Sequence, residues 1–187
     1  PFLTDCNTLY PGSRKNALDH LDCAALNGYN TITTGCQVII GDGLRGTDEV
    51  EVPVPGGEYI QKAKIGRAVM DADVFISLAH FKGHEATGFG GAVKNVGMGC
   101  GSRAGKMEQH SSGKPKVDEK LCRGCGRCAK ECGSDAISYI DHKAHIDEEK
   151  CAGCGRCIGA CGFDAIQSVQ WDANELLDRK MAEYALA

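Results

Sequence analysis

The chain has 187 residues, 25% of them charged, and a formal net charge of −4. That mildly acidic balance offers nucleic acid no electrostatic footprint, and no apolar run approaches the roughly 20 residues of a membrane-spanning helix. Twelve cysteines without a secretory signal pattern fit a reducing, cytoplasmic setting.

The predicted elements begin with Phe2-Leu3-Thr4, the end of a strand. Ala17, Leu18, Leu21, Ala24 and Ala25 recur at helical spacing, and Asn27-Gly28 supplies a C-terminal stop. Gln37–Ile40 reads as a buried strand ending at Gly41-Asp42-Gly43. Glu49–Val54 alternates charged and apolar residues, the mark of a half-exposed strand, and Gly56-Gly57 turns it back into Tyr59–Ile65 as a hairpin. Asp73–Leu78 reads as a further buried strand. Strand–helix–strand alternation predicts an α/β fold with a mixed, mainly parallel sheet. Ligands in such sheets sit beyond the carboxyl ends of strands, which directs attention to Asp42 and to the stretch after Leu78.

That stretch, residues 79–110, mixes His80, Lys82, His84, Glu85, Lys94, Asn95, Cys100, Arg103, Lys106 and His110 with many glycines. Glycine lets backbone N–H groups approach an anion, and Arg or Lys adds charge. The pattern points to an anion-binding pocket with Lys82, His84, Lys94, Arg103 and Lys106 as the catalytic or substrate-holding candidates. Standard phosphate loops do not match. Gly101–Lys106 is one residue short of a Walker A loop, Met107 stands where Ser or Thr belongs, and Gly88-Phe89-Gly90-Gly91 lacks the G-x-G-x-x-G spacing. His80 and His84 stand four apart, which on a helix would let a metal bridge them, but Phe81-Lys82-Gly83 is a poor helix. Hydrogen-bonded loop histidines are the other reading. Cys100, flanked by Gly99 and Gly101, is either a ligand or substrate contact or a buried inert thiol. Cys6, Cys23 and Cys36 lack metal-like spacing and read as small buried hydrophobes.

A boundary is expected near Ser111–Pro115, where turn-forming residues gather. Beyond it lies a repeat. Cys122, Cys125, Cys128 and Cys132 read C-x₂-C-x₂-C-x₃-C, and Cys151, Cys154, Cys157 and Cys161 read the same. Val117 answers Ile146, Asp118 answers Asp147, and Asp135-Ala136-Ile137 answers Asp164-Ala165-Ile166. Each copy predicts strand, loop, short helix, strand. Zinc sites usually split two C-x₂-C pairs by a longer insert, and three cysteines on one tight loop make a poor disulfide framework. The final segment predicts a helix from an Asp172 N-cap, with Leu176, Leu177, Met181 and Tyr184 on one face and Glu175 and Arg179 paired. Trp171 and that face are expected to dock on the α/β domain.

The cysteine spacing resembles that of bacterial two-cluster ferredoxins, in which the fourth cysteine of each run serves the other cluster. The resemblance implies two [4Fe–4S] clusters. One would sit on Cys122, Cys125, Cys128 and Cys161, the other on Cys151, Cys154, Cys157 and Cys132. Ferredoxins usually carry proline after the fourth cysteine; Gly133 and Gly162 stand there, which bears on loop rigidity and potential. Arg123, Arg127 and Arg156, with backbone N–H groups, are expected to tune that potential.

Residues 4–21, 41–48 (GDGLRGTD) and above all 80–110 (HFKGHEATGFGGAVKNVGMGCGSRAGKMEQH) resemble the domain-of-unknown-function 362 family. Many of its members carry a ferredoxin module after this glycine-rich stretch. The resemblance implies an α/β domain over residues 1–115, an inserted α+β ferredoxin-like two-cluster domain over 116–170, and a helix over 171–187 returning to the α/β domain. It also implies further strands outside Pro1–Ala187, so that the sheet here would be incomplete. The function expected is one-electron transfer coupled to an α/β domain whose own activity the family leaves open, a ferredoxin-dependent oxidoreductase acting on a small-molecule anion being one reading. Alternatives are an electron carrier or assembly subunit serving a redox partner protein, and a redox-sensing regulator. Neither nucleic acid nor membrane is expected as a partner, and the oligomeric state is left open.

Overall fold

A computed structural model describes residues 1–110, 114–168 and 174–187. Strand β1 (Phe2–Asp5) pairs in parallel with β2 (Gln37–Ile40), Phe2 opposite Gln37 and Asp5 opposite Ile40. Helix α1 (Ala17–Leu26) makes the crossover between them. Asn16 caps it by accepting the N–H groups of Leu18 and Asp19 at 3.1 Å, and the chain leaves it at Asn27. Period and ends are as the spacing predicts, but burial is not: Ala17 and His20 are its buried residues, while Leu18 is 65% exposed. A short turn, α2 (Thr31–Thr34), precedes β2.

Strands β3 (Glu49–Pro53) and β4 (Lys62–Gly66) form the expected hairpin, with Glu49 opposite Gly66. β4 starts at Lys62 rather than Tyr59 for a visible reason. The N–H groups of Glu58, Tyr59 and Ile60 are taken by the Glu183 carboxylate at 2.8, 3.1 and 2.7 Å, leaving no donors there for a ladder. Helix α3 (Arg67–Met70) follows.

Two sequence expectations fail. Asp73–Leu78 forms no strand, and Val74, Ile76 and Leu78 are each 76% exposed. Nor is there a mainly parallel sheet. The described strands form five two-stranded sheets, of which β1–β2 alone is parallel. Parallel pairing needs a crossover connection, and α1 supplies the single one seen here.

Strands β5 (Lys82–His84) and β6 (Gly88–Gly90) make a small antiparallel hairpin. Helix α4 (Ala92–Lys94) runs into a π-helical turn over Asn95–Gly99, and α5 (Arg103–His110) follows. The cysteine-rich part contains β7 (Lys116–Val117), α6 (Arg127–Lys130), β8 (Ile137–Ile140), β9 (Lys143–Ile146), α7 (Arg156–Ala160) and β10 (Ile166–Gln167).

Helix α8 (Asn174–Leu186) buries Leu177, Met181 and Tyr184, the face the sequence marks out, and pairs Arg179 with Glu175 at 3.0 Å. It packs against the π-helical turn and α5, on the α/β part. A Cβ on Gly97 would stand 2.1 Å from the Met181 carbonyl, so this approach requires glycine. Tyr184 joins Val54, Ile60, Ala63, Ile65 and Cys100 in one core cluster, while Leu9 and Met107 join the cysteine-rich half in another. The expected cap Asp172, Trp171, and Ser111–Gly113 of the expected boundary lie outside the described residues. Among the described residues no helix is long and apolar enough to cross a membrane.

Candidate functional site

The two cysteine runs fold as matching halves that close on each other. β7 pairs antiparallel with β10, joining the ends of the repeat, and β8 pairs with β9 across its middle. The Asp118 N–H donates to the Ala165 carbonyl at 2.7 Å, and the Asp147 N–H donates to the Ala136 carbonyl at 2.8 Å. Each half therefore begins on the end of the other. Cys122 and Cys151 each donate their N–H to the main-chain carbonyl of the aspartate four residues earlier at 3.0 Å. Asp135 and Asp164 share a left-handed backbone, at φ 49° and 53°. Gly124 and Gly126 turn the first loop with positive φ, as Gly153 and Gly155 turn the second.

This interlock decides which cysteines line the same cavity. One cavity of about 310 Å³, its open mouth included, is lined by Cys122, Cys125, Cys128 and Cys161, with Arg123, Arg127, Tyr139 and Phe163 around them. Another of about 320 Å³ is lined by Cys132, Cys151, Cys154 and Cys157, with Pro115, Ser134, Ile137 and Arg156. In both, three cysteines come from one run and the fourth from the other.

Backbone donors face the sulfurs. The N–H groups of Ala136 and Ala165 reach Cys132 Sγ and Cys161 Sγ at 3.3 Å, and those of Ala144 and Gly153 reach Cys122 Sγ and Cys151 Sγ at 3.5 Å. Tyr139 Oη lies 3.2 Å from Cys128 Sγ. Burial, then the neighbouring thiolates of Cys154, Cys151 and Cys128, push the Cys157 thiol up to about 12. Burial also acts upward on Cys132, but the Ser134 hydroxyl and the N–H groups of Ala136 and Ser134 outweigh it and hold this thiol below its ordinary value. All twelve cysteines are free of disulfides. Among the described residues no three His, Cys, Asp or Glu side chains converge to hold one metal ion. A zinc site would need its sulfurs about 2.3 Å from a single centre. A cubane takes one thiolate per iron, so its four sulfurs ring a cavity instead. Four cysteines around an otherwise largely apolar hollow, with N–H groups aimed at sulfur, fit a cluster as a donor set.

The candidates in the glycine-rich stretch divide into two groups. Lys82, His84 and Lys94 gather at the β5–β6 hairpin. His84 Nδ1 accepts the N–H groups of Ala86 and Thr87 at 3.1 and 3.3 Å, and its Nε2 contacts Lys94 Nζ. Burial, then the Lys82 charge, push the Lys94 amine below its ordinary value. Phe81 and Phe89 stand beside the group, ring centres 5.4 Å apart.

Arg103 and Lys106 are instead interior. Lys106 Nζ donates to the Gly99 and Gly101 carbonyls at 3.1 and 2.6 Å. Arg103, 0% exposed, donates from Nε to the Arg45 carbonyl at 3.1 Å, from Nη1 to Thr8 at 3.2 Å and from Nη2 to Lys15. His80 precedes β5 and α4, so no helix face unites it with His84. Cys100 is a buried thiol pushed up to about 11, chiefly by burial, and it donates to the Asn95 carbonyl at 3.7 Å. Cys6 is buried as expected, while Cys23 and Cys36 are half-buried.

A family model described as Domain of unknown function (DUF362) matches residues 1–187. The chain belongs to the DUF362 family. No curated protein matches it.

Sequence reasoning missed how closely the two parts of this DUF362 chain interlock. Lys15 Nζ donates to the Cys161 carbonyl at 3.0 Å and pairs with Asp164, and Arg45 pairs with Glu131. Arg103 lies against α7, and Tyr139 adds a hydroxyl to one cavity alone. None belongs to a spacing pattern. For Arg103 the signal available was the gathering of basic residues among the glycines of residues 79–110; Lys15, Arg45 and Tyr139 carried none.

Proposed function

We propose that this DUF362 chain binds two [4Fe–4S] clusters and uses them for one-electron transfer. The observation that carries the reading is the crossed lining of the cavities: Cys161 completes the ring of Cys122, Cys125 and Cys128, and Cys132 completes that of Cys151, Cys154 and Cys157. This is the ligand sharing that the two-cluster ferredoxin spacing implies. When bound, the clusters would supply the one-electron chemistry. The protein's own part is to hold the sulfurs apart, donate N–H groups to them and exclude water behind Ala144, Ala165 and Ile166.

The test is anaerobic purification followed by iron and sulfide counts and EPR of the reduced protein. About eight irons per chain are expected from two cubanes. Zinc in place of iron would sink the proposal.

The hairpin group favours a second reading, in which the α/β part is a redox enzyme. Lys82 would hold a small anion there, with Lys94 and His84 as the groups that exchange its proton. Arg103 and Lys106 have no place in that site, because their donors are committed to backbone carbonyls. Lys94→Ala or His84→Ala should abolish anion binding or turnover and leave the EPR signal intact. Unchanged turnover in both would favour a carrier without a substrate of its own.

A further inference from the structure

The repeat gives the two cavities equal shares of most nearby charges. Arg127 and Arg156 occupy matching places, Nη1 lying 3.6 Å from the Cβ position of Gly162 in one case and 3.9 Å from that of Gly133 in the other. Lys143 donates to the Cys122 carbonyl at 2.8 Å beside the first cavity, and Lys114 donates to the Cys151 carbonyl beside the second. Lys15 approaches Cys161, but its charge is met by Asp164.

One arginine on each side breaks the balance. Arg123 lines the first cavity and is exposed, and its counterpart in the other run is Ala152. Arg103 stands behind the second cavity, fully buried. Its Cγ is 2.8 Å from the Cβ position of Gly155, and its Cζ is 3.0 Å from that of Gly159. Water and salt screen the exposed charge, whereas the buried one acts through a lower dielectric. The hydrogen bonds of Arg103 go to neutral carbonyls, so no carboxylate neutralises it directly. Asp42 acts on it from beside Gly46, with its Oδ1 engaged by Asn7 at 2.8 Å and its carboxyl held above the ordinary range by burial.

We infer that Arg103, reaching out of the α/β part, sets the potential of the cluster in the Cys132–Cys151–Cys154–Cys157 cavity above that of its twin. The inference rests on the two-cluster reading. A reduced cluster carries one more negative charge, so an adjacent buried cation favours reduction. A single electron given to the pair by dithionite would then settle beside α7, against the α/β part. Arg103 is a positioning residue here; it ligates nothing.

The experiment is an EPR-monitored redox titration of the reconstituted full chain carrying Arg103→Gln, Arg103→Lys or Arg123→Gln. Arg103→Gln should lower the upper midpoint, by on the order of a tenfold fall in the reduced-to-oxidised ratio, or about 59 mV for one electron, and leave the lower midpoint in place. Arg103→Lys keeps the charge and should retain most of the upper midpoint even where stability falls. Arg123→Gln should move the lower midpoint by less. Equal shifts in Arg103→Gln and Arg103→Lys would mean packing alone and overturn the role. So would unmoved midpoints, or Arg123→Gln acting on the upper one, a result readable even where Arg103→Gln does not fold. Wild-type protein without two cubanes would overturn the cluster reading itself, whereas two cubanes with unmoved midpoints would overturn only the part given to Arg103.

Discussion

Gly159 lies beneath the guanidinium of Arg103: a Cβ built there would stand 3.0 Å from Cζ, 3.1 Å from Nη2 and 3.3 Å from Nη1. The contact joins α7 to α5 and leaves no room for a side chain. Gly155 makes the neighbouring contact, 2.8 Å to Arg103 Cγ, from a backbone at φ 66°. Gly159→Ala should therefore cost about 1–3 kcal/mol through overpacking. Gly155→Ala should cost more, because the left-handed backbone adds about 1–2 kcal/mol. Chemical denaturation of both variants beside wild type checks the order, and a Gly155→Ala protein as stable as wild type would show that the contact is absent.

The crossed lining of the cavities predicts how serine variants group. Cys161→Ser should share its EPR and iron phenotype with Cys122→Ser, although Cys161 belongs to the other run, and Cys132→Ser should group with Cys151→Ser. Grouping by run instead would mean that each run holds its own cluster. Removing iron with a chelator should unfold residues 116–168 before the rest, since metal binding and folding are coupled. Far-UV circular dichroism with limited proteolysis reads this.

Two of the close contacts that hold helix α8 can be broken separately. Gly97→Ala would drive a Cβ to 2.1 Å from the Met181 carbonyl, so the helix must shift, at a cost of about 1–3 kcal/mol or more. Glu183→Gln weakens the acceptor for the N–H groups of Glu58, Tyr59 and Ile60 and should cost about 1–3 kcal/mol. Thermal melts should fall in both, with the cluster spectrum retained. Loss of the spectrum in Glu183→Gln would show that α8 supports the cysteine halves directly.

His84 should titrate below the ordinary histidine range, because burial and the charges of Lys94 and Lys82 disfavour its cation. With a depressed native value, the unfolded state binds more protons as pH falls through about 6.5, so the stability of the hairpin declines in that direction. Two-dimensional NMR of the imidazole gives the midpoint. Lys94→Met should raise it, and no change in that variant would remove Lys94 from contact with the ring.

Much of the architecture is legible residue by residue. The helical spacing of Ala17 to Ala25 and the stop at Asn27-Gly28 define α1 because periodicity and stop signals are local properties. Alternation over Glu49–Val54 gives β3 for the same reason. Burial is not local. The face of α1 marked by Leu18 stays exposed, and Asp73–Leu78 has the composition of a buried strand without a ladder partner among the described residues. Tyr59 and Ile60 read as strand, but a carboxylate more than 120 residues away takes their donors.

The sequence by itself determined the two cysteine runs, their internal correspondence and the helix at the end, because spacing along the chain dictates which sulfurs share a loop and which side chains share a face. Only the tertiary structure decided that Arg103 and Lys106 belong to the interior and not with Lys82, His84 and Lys94. All five are basic residues among glycines, and nothing in a linear pattern tells a cation that bonds backbone carbonyls from one that faces solvent. That distinction depends on which distant segments, here Thr8, Lys15 and Arg45, bring their carbonyls within hydrogen-bonding reach.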